Sequence, residues 1–401
     1  METSLSGLMP KATMPSPQLP DADNDVARSA TDDPLEVSKL EDGIGLCLSG
    51  GGFRAMVFHL GALWRLNEIG LLSKIDRFSS VSGGSITNGV LAHAWSKLTF
   101  DGAGVATNFQ QLVAKPVLAF AKTNMDVKAV LVGLLPTQSA AHRASRTYDT
   151  ALFHGAKLSD LPLKPRFTFN ATNLMTGSLF RMSPEYVADY RVGRIDKPKF
   201  LLADVVAASS AFPPVLSPLD LDFEKAAISN LPGASLHRAP YTERAVLTDG
   251  GVYDNLGLET VWKRYRTILV SNAGRNVFLE ESPSHSWPFQ LNRVVEVILN
   301  QVDNARERQL LALARAKLRT VGYWAIETDP GGYRIVPPGL GMTPDECARS
   351  AHISTRLSAL SNDECDLLVR HAYMLSDLAV RKYVAIGSSA PSAFPSIRAI
   401  T

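Results

Sequence analysis

Three short glycine-rich stretches carry the residue types that acyl-transfer chemistry needs. Ser82 stands in Ser80-Val81-Ser82-Gly83-Gly84-Ser85. Small residues around a serine suit a sharp turn between a strand and a helix, which projects its Oγ into a cleft. Asp249 opens Asp249-Gly250-Gly251 at the end of a short apolar run. A carboxylate held in such a turn can be the base that a weak serine nucleophile requires. The third stretch, Ser49-Gly50-Gly51-Gly52-Phe53-Arg54, can aim backbone N–H groups at a developing negative charge. Each stretch alone also reads as a structural turn. Together they supply nucleophile, base and hydrogen-bond donors. The Gly50–Gly52 loop has no Gly-Lys-Ser/Thr ending and no acidic residue at a strand end about 20 positions on, so neither an ATP-binding loop nor a dinucleotide fold follows. No histidine occupies a comparable turn. His59 and His93 fall within predicted helices, in packing or surface roles. His237 precedes the strand that carries Asp249 and stays open as a participant. The simplest arrangement is a Ser82–Asp249 dyad with no metal and no cofactor.

These residues need a scaffold that delivers all three turns to one edge. Residues 43–48 read as a short buried strand, and a helical pattern follows Arg54 with Met56, Leu60, Leu63, Leu66 and Ile69 on one face. Gly70 suits its C-terminal cap. A strand over 75–81, the Ser82 turn and a helix over 86–97 repeat the unit. Two successive strand–turn–helix units predict a parallel sheet with helices on both faces. Further strands are expected at 166–171, 178–182, 244–247, 267–270 and 323–327, the first two as a hairpin. Helices are expected at 201–210, 287–318 and from Ser361, the last with Cys365, Leu368, Val369, Tyr373, Leu375 and Leu378 inward. The apolar segment 116–135 contains Lys122, Asp126 and Lys128, which fits a buried helix better than a membrane span.

Composition narrows the function classes. The 401 residues carry 41 basic and 39 acidic side chains, a net charge of +2, so a broad nucleic-acid-binding face is not expected. Three widely spaced cysteines and scattered histidines make neither a disulfide framework nor a zinc site. The first 20 residues show no basic start and no apolar run, so no signal peptide is expected there, and a reducing, cytoplasmic setting is the default reading. Residues 1–40, polar and punctuated by proline, read as a flexible tail.

The ordered set of turns resembles the patatin-like phospholipase family, whose core is related to that of cytosolic phospholipase A. The family order of Gly-Gly-Gly-x-Arg/Lys, Gly-x-Ser-x-Gly and Asp-Gly-Gly/Ala is met by Gly50–Arg54, Ser80–Gly84 and Asp249–Gly251. Ala207-Ala208-Ser209-Ser210-Ala211-Phe212-Pro213-Pro214 and Asn255 also fit. Ser80 departs from the pattern by replacing a glycine, and Ala55 stands where a glycine often follows the Arg/Lys. The resemblance implies a three-layer α/β/α fold with a central, mostly parallel sheet. It places a catalytic core over 41–275 and a mainly helical C-terminal extension over 276–401. It implies that Ser82 attacks an acyl ester and that Asp249 takes its proton. Gly50, Gly51, Gly52 and Gly83 would line the oxyanion hole, and Arg54 would orient the loop or balance a lipid phosphate. The implied substrate is a phospholipid or lysophospholipid, met at a membrane surface through apolar loops such as 212–216. Two alternatives stand beside this: a membrane-degrading effector switched on by a partner or nucleotide, and a lipid-binding protein without catalysis.

Overall fold

The computed structural model describes residues 40–125, 140–223, 227–274, 280–336, 339–385, 388–398 and 400. The expected tail, apart from Leu40, and the second half of the apolar segment 116–135 lie outside the described residues.

The first strand, β1 (Glu41–Leu48), ends in four residues buried on both faces, as a strand covered by helices on either side must be. It is central to a sheet of ten strands. The others are β2 (Arg77–Ser80), β3 (Arg166–Asn173), β4 (Ser178–Met182), β5 (Tyr186–Asp189), β6 (Gly193–Asp196), β7 (Leu219–Asp222), β8 (Arg244–Asp249), β9 (Tyr265–Asn272) and β10 (Thr320–Ala325). Their order is β10-β9-β1-β2-β3-β4-β5-β6, with β8 paired to β3 and β7 to β8. From β10 to β3 every pairing is parallel. Beyond β3 every pairing is antiparallel. The sheet is thus mixed, and the parallel character read from the sequence belongs to the half that carries the two serine–glycine turns. Strands β5, β6 and β7 were not expected. Each is only four residues long and too short to show a period.

Helices flank both faces: α1 (Gly52–Glu68), α2 (Gly83–Ala94), α3 (Lys115–Phe120), α4 (Ala140–Tyr148), α5 (Leu202–Ser209), α6 (Gly251–Asp254), α7 (Trp287–Arg315), α8 (Pro344–His352) and α9 (Asn362–Tyr383). The sequence predicts one apolar face for α1, but every residue from Gly52 to Asn67 is buried. The reason is α9, which lies across the face that a two-layer fold would leave wet. Gly61 lets the α9 backbone at Val369 come close, since a Cβ there would overlap the Val369 carbonyl. Arg65 of α1 pairs with Asp377 of α9 at 2.8 Å, and Arg381 completes a buried cluster at 2.6 Å from the same carboxylate. A capping box between Ser361 and Glu364 fixes where α9 starts. The C-terminal residues therefore contribute both a sheet strand, β10, and a helix packed against the core of the sheet domain.

Candidate active site

The sheet topology brings the serine and aspartate turns together. β3 shares one edge between two strands. Its first half pairs with β2, ending at Phe169 opposite Ser80. Its second half pairs with β8 running the other way, with Ala171 opposite Asp249. The ends of β2 and β8 therefore point at one another, and the turns that follow them meet. Ser82 lies two residues past β2, and Asp249 is the last residue of β8.

A segment that links the two turns fixes their spacing. The Ser209 carbonyl accepts hydrogen bonds from the amides of both Ser82, at 3.1 Å, and Gly250, at 3.2 Å. The Asp249 amide donates to the Ala211 carbonyl at 3.0 Å. The Thr172 hydroxyl donates to the Asp249 carbonyl at 2.9 Å. The backbone amide and carbonyl of Asp249 are thus both tied into this frame.

Ser82 has φ 53° and ψ −124°, far from ordinary serine conformations, and sits as the cap of α2. Such backbone strain is held by surrounding structure and is a mark of a nucleophile turn. The residue is 8% exposed and Asp249 only 1%. The Asp249 Oδ1 accepts a hydrogen bond from the Gly251 amide at 2.7 Å. Its Oδ2 has no donor in full hydrogen-bonding geometry, yet the Ser82 hydroxyl is close enough to act on the carboxylate. A catalytic hydrogen bond that is loose without substrate is common. Burial pushes the Asp249 pKa up from 3.8 to about 6, and the bonds from Gly251 and Ser82 hold it back.

The glycine loop enters from the other side. Gly51 and Gly52 have φ of 136° and 58°, values that a side chain disfavours. Gly50 stands against the serine: a Cβ there would overlap the Asn255 Oδ1 and lie 3.1 Å from the Ser82 Cβ. The Gly50 amide is engaged, donating to the Asn255 carbonyl at 3.1 Å. That removes it from the set of donors that can face an oxyanion. The amides of Gly51, Gly52 and Gly83 have no carbonyl partner among the described residues. Gly52 and Gly83 also open α1 and α2, whose dipoles favour negative charge at these ends.

Arg54 does not face the cleft. It is almost wholly buried, and its guanidinium donates to the carbonyls of Ala351, Ile353 and Ala273 at 3.1, 3.1 and 2.7 Å. It thus ties the glycine loop to the end of β9 and to the C-terminus of α8. Of the two roles expected for it, these contacts match loop orientation and leave no surface for a lipid phosphate.

Among the described residues no hydrogen bond joins His59, His93 or His237 to Ser82 or Asp249. His59 bridges the Ser271 hydroxyl and the Ser49 carbonyl, both at 2.8 Å, and burial lowers its pKa to about 4. It therefore pins the ends of β1 and β9 as a neutral ring. His93 stacks edge-on to Phe153. His237 bonds the Val192 carbonyl at 2.8 Å.

Further residues shape the site from behind. Ser80 replaces the usual glycine and uses its hydroxyl. It contacts Ser85 at 2.9 Å and accepts from Asn88 at 2.9 Å. Ser85 reaches Ser209 at 2.8 Å, and Ser209 donates to the Asn170 carbonyl at 2.7 Å. The Asn170 amide in turn donates to Ser79 and to the Ser80 carbonyl. This buried chain locks the turn from behind. Asn255 donates to Asp303 of α7 at 3.0 Å. Asn255 and Ser209 lay within family-like segments; Asn170 and Asp303 carried no sequence signal, because only the folded chain places them here.

The family model described as patatin-like phospholipase matches residues 46–262. Among solved structures the chain is similar to human GIVD cytosolic phospholipase A2, at 15% identity and a TM-score of 0.45, covering 90% of this chain and 61% of that one. It is also similar to VipD from Legionella pneumophila, at 15% identity and a TM-score of 0.34, covering 85% of this chain and 67% of that one. The chain spans about three fifths of the length of the human protein. No curated protein sequence matches it.

Proposed function

The chain belongs to the patatin-like phospholipase family, and on that premise we propose that it is a serine lipid acyl hydrolase of phospholipase A or lysophospholipase type, working through Ser82 and Asp249. Lipid acyl hydrolysis is what family membership supports; the dyad and its donors are our reading of the site. The observation that carries it is the meeting of the strained Ser82 turn with the turn of a buried carboxylate, Asp249, the Ser209 carbonyl accepting from the amides of both Ser82 and Gly250.

The steps follow from the groups in place. Ser82 Oγ gives its proton to Asp249 and attacks the ester carbonyl carbon. The carbonyl π pair moves onto oxygen, which the amides of Gly51, Gly52 and Gly83 receive. The intermediate collapses, the C–O bond to the alcohol breaks, and the leaving oxygen takes the proton back from Asp249. A water molecule then gives a proton to Asp249 and attacks the acyl carbon; the intermediate collapses, the bond from that carbon to Ser82 Oγ breaks, and Oγ takes the proton from Asp249 as the fatty acid leaves. The base must be ionised at the start of each half-reaction. A pKa near 6 keeps it so at neutral pH while leaving it basic enough to accept a proton.

The sign of the pH dependence follows. As pH falls through about 6, Asp249 takes up a proton and loses its function as base. We expect kcat/KM on a short soluble ester to fall toward acid with an apparent midpoint near 6; a profile flat through that range overturns Asp249 as the base. The identity of the nucleophile is tested with a fluorophosphonate probe. Covalent labelling is expected at Ser82, and labelling elsewhere, or none in folded protein, contradicts the proposal. The outcome also separates this reading from that of a lipid-binding protein without catalysis.

A further inference from the structure

α7 is 29 residues long, about 43 Å of helix, and among the described residues the apolar side chains it buries lie in its C-terminal half. There Leu310 and Leu313 join a buried cluster with Leu256, Leu258 and Val261. Arg306 donates to Glu259 at 2.8 Å and to the Tyr253 carbonyl at 3.1 Å, beside α6 and the Asp249 turn. The N-terminal half is different. Trp287 is 74% exposed and Phe289 70%, and Leu291, Val294 and Ile298 are exposed too. Trp287, Leu291, Val294 and Ile298 recur at helix spacing and form one continuous stripe. A run of large apolar side chains on an unburied helix face marks an interaction surface.

We propose that this half of α7 is the element that enters the lipid surface and seats the catalytic cleft on it. The choice of lipid as occupant rests on the hydrolase reading above and on two features of the helix. The first is charge. Between Trp287 and Asn300 the only ionic side chains are Arg293 and Glu296, which pair at 3.4 Å, and Arg293 also reaches Glu280 at 3.5 Å, so this stretch of helix has no net charge of its own and its one cation is engaged within the protein. A layer reached by apolar insertion, such as a zwitterionic lipid surface, suits it. The second is continuity with the site. Asp303, five residues past Ile298 on the same helix, accepts from Asn255. Asn255 in turn packs where Gly50 meets Ser82. The apolar half is thus continuous with the helix turn that reaches, through Asn255, the contact of Gly50 with Ser82. Phe212 and Val215, also exposed, follow directly on the Ser209–Ala211 segment that frames the dyad, and give a second apolar point beside the cleft. Trp287 at the free end has the ring type that favours the boundary between headgroups and chains.

The test compares the full chain with a Trp287→Ser/Leu291→Ser/Ile298→Ser variant, by co-sedimentation with phosphatidylcholine vesicles at low and high salt. The unaltered protein is expected to bind equally at both salt levels, since apolar insertion is not screened. The triple variant is expected to bind about 100-fold more weakly, from the loss of three buried apolar side chains. It should hydrolyse a short water-soluble ester at the unaltered rate, while its hydrolysis of vesicle lipid falls with binding. Undiminished vesicle binding by the triple variant overturns the proposal, as does absence of binding by the unaltered protein. So does a dimer in solution that the three substitutions dissolve without changing vesicle binding, which would assign the stripe to a second copy. Ser82→Ala is expected to bind vesicles normally. A protein that binds through α7 but hydrolyses no ester would leave the docking surface standing and remove the hydrolase reading.

Discussion

Replacing Ser82 with alanine should lower ester hydrolysis by about 10⁴–10⁶-fold while leaving the fold intact. The substitution deletes only Oγ. The turn is held by its amide bond to Ser209 and by the hydroxyl chain behind it, neither of which uses that atom. Asp249→Asn is expected to cost about 10⁴-fold, for a sharper reason. The asparagine oxygen can keep the bond from the Gly251 amide, which the structure assigns to Oδ1. Its amide nitrogen then takes the place of Oδ2, the oxygen that accepts no hydrogen bond among the described residues, and a donor replaces an acceptor. The geometry survives and the proton transfer does not. The checks are kcat/KM on a soluble ester and a thermal melt for each variant. Both variants folded and either one active at the unaltered rate would overturn the dyad. An active Asp249→Asn alone would move the base elsewhere, although His237, the histidine left open by the sequence, is bound to the Val192 carbonyl.

Much of the proposed site was legible in the sequence because the turns that form it are local. A nucleophile turn needs small residues next to the serine, and an oxyanion loop needs glycines next to a helix start, so both leave marks within six residues. The parallel half of the sheet was legible for the same reason, since each βα unit is contiguous. What the sequence could not show is long-range. Ser209 stands out only as part of a family-like segment; that its carbonyl joins the Ser82 and Asp249 turns appears only in the folded chain. Arg54 reads as a cation beside a ligand loop, but the end of α8, some 300 residues away, supplies carbonyls that draw it inward. The Gly50 amide reads as a donor until Asn255 is folded against it. The apolar stripe of α7 carries the same periodicity as a buried helix. Only the fold shows that nothing among the described residues covers its first half.

Gly83 is where the two loops constrain one another most tightly, and a single methyl there should separate rate from binding. A Cβ on Gly83 would overlap the carbonyl oxygen of Gly52. The glycine loop cannot retreat, because a Cβ on Gly52 would in turn overlap the Thr355 carbonyl, and the Phe53 amide is bonded to the Arg356 carbonyl at 3.2 Å. Gly83→Ala must therefore push the start of α2 away from the loop. That movement parts the Gly83 amide from those of Gly51 and Gly52, the three donors proposed to share one oxyanion. The expected loss is about 10²–10³-fold in kcat, the scale of one oxyanion donor, with KM nearly unchanged because the ground-state ester makes little use of them. A stability cost of about 1–3 kcal/mol should accompany it, as overpacking commonly gives. Gly102→Ala is the matched control, since a Cβ there meets nothing within 4 Å. Fluorophosphonate labelling adds a second readout. Phosphonylation of Ser82 also places charge on an oxygen in the hole, so Gly83→Ala should label slowly but still at Ser82. A folded Gly83→Ala protein with unaltered kcat would show that the amides of the two loops do not act on a common oxyanion.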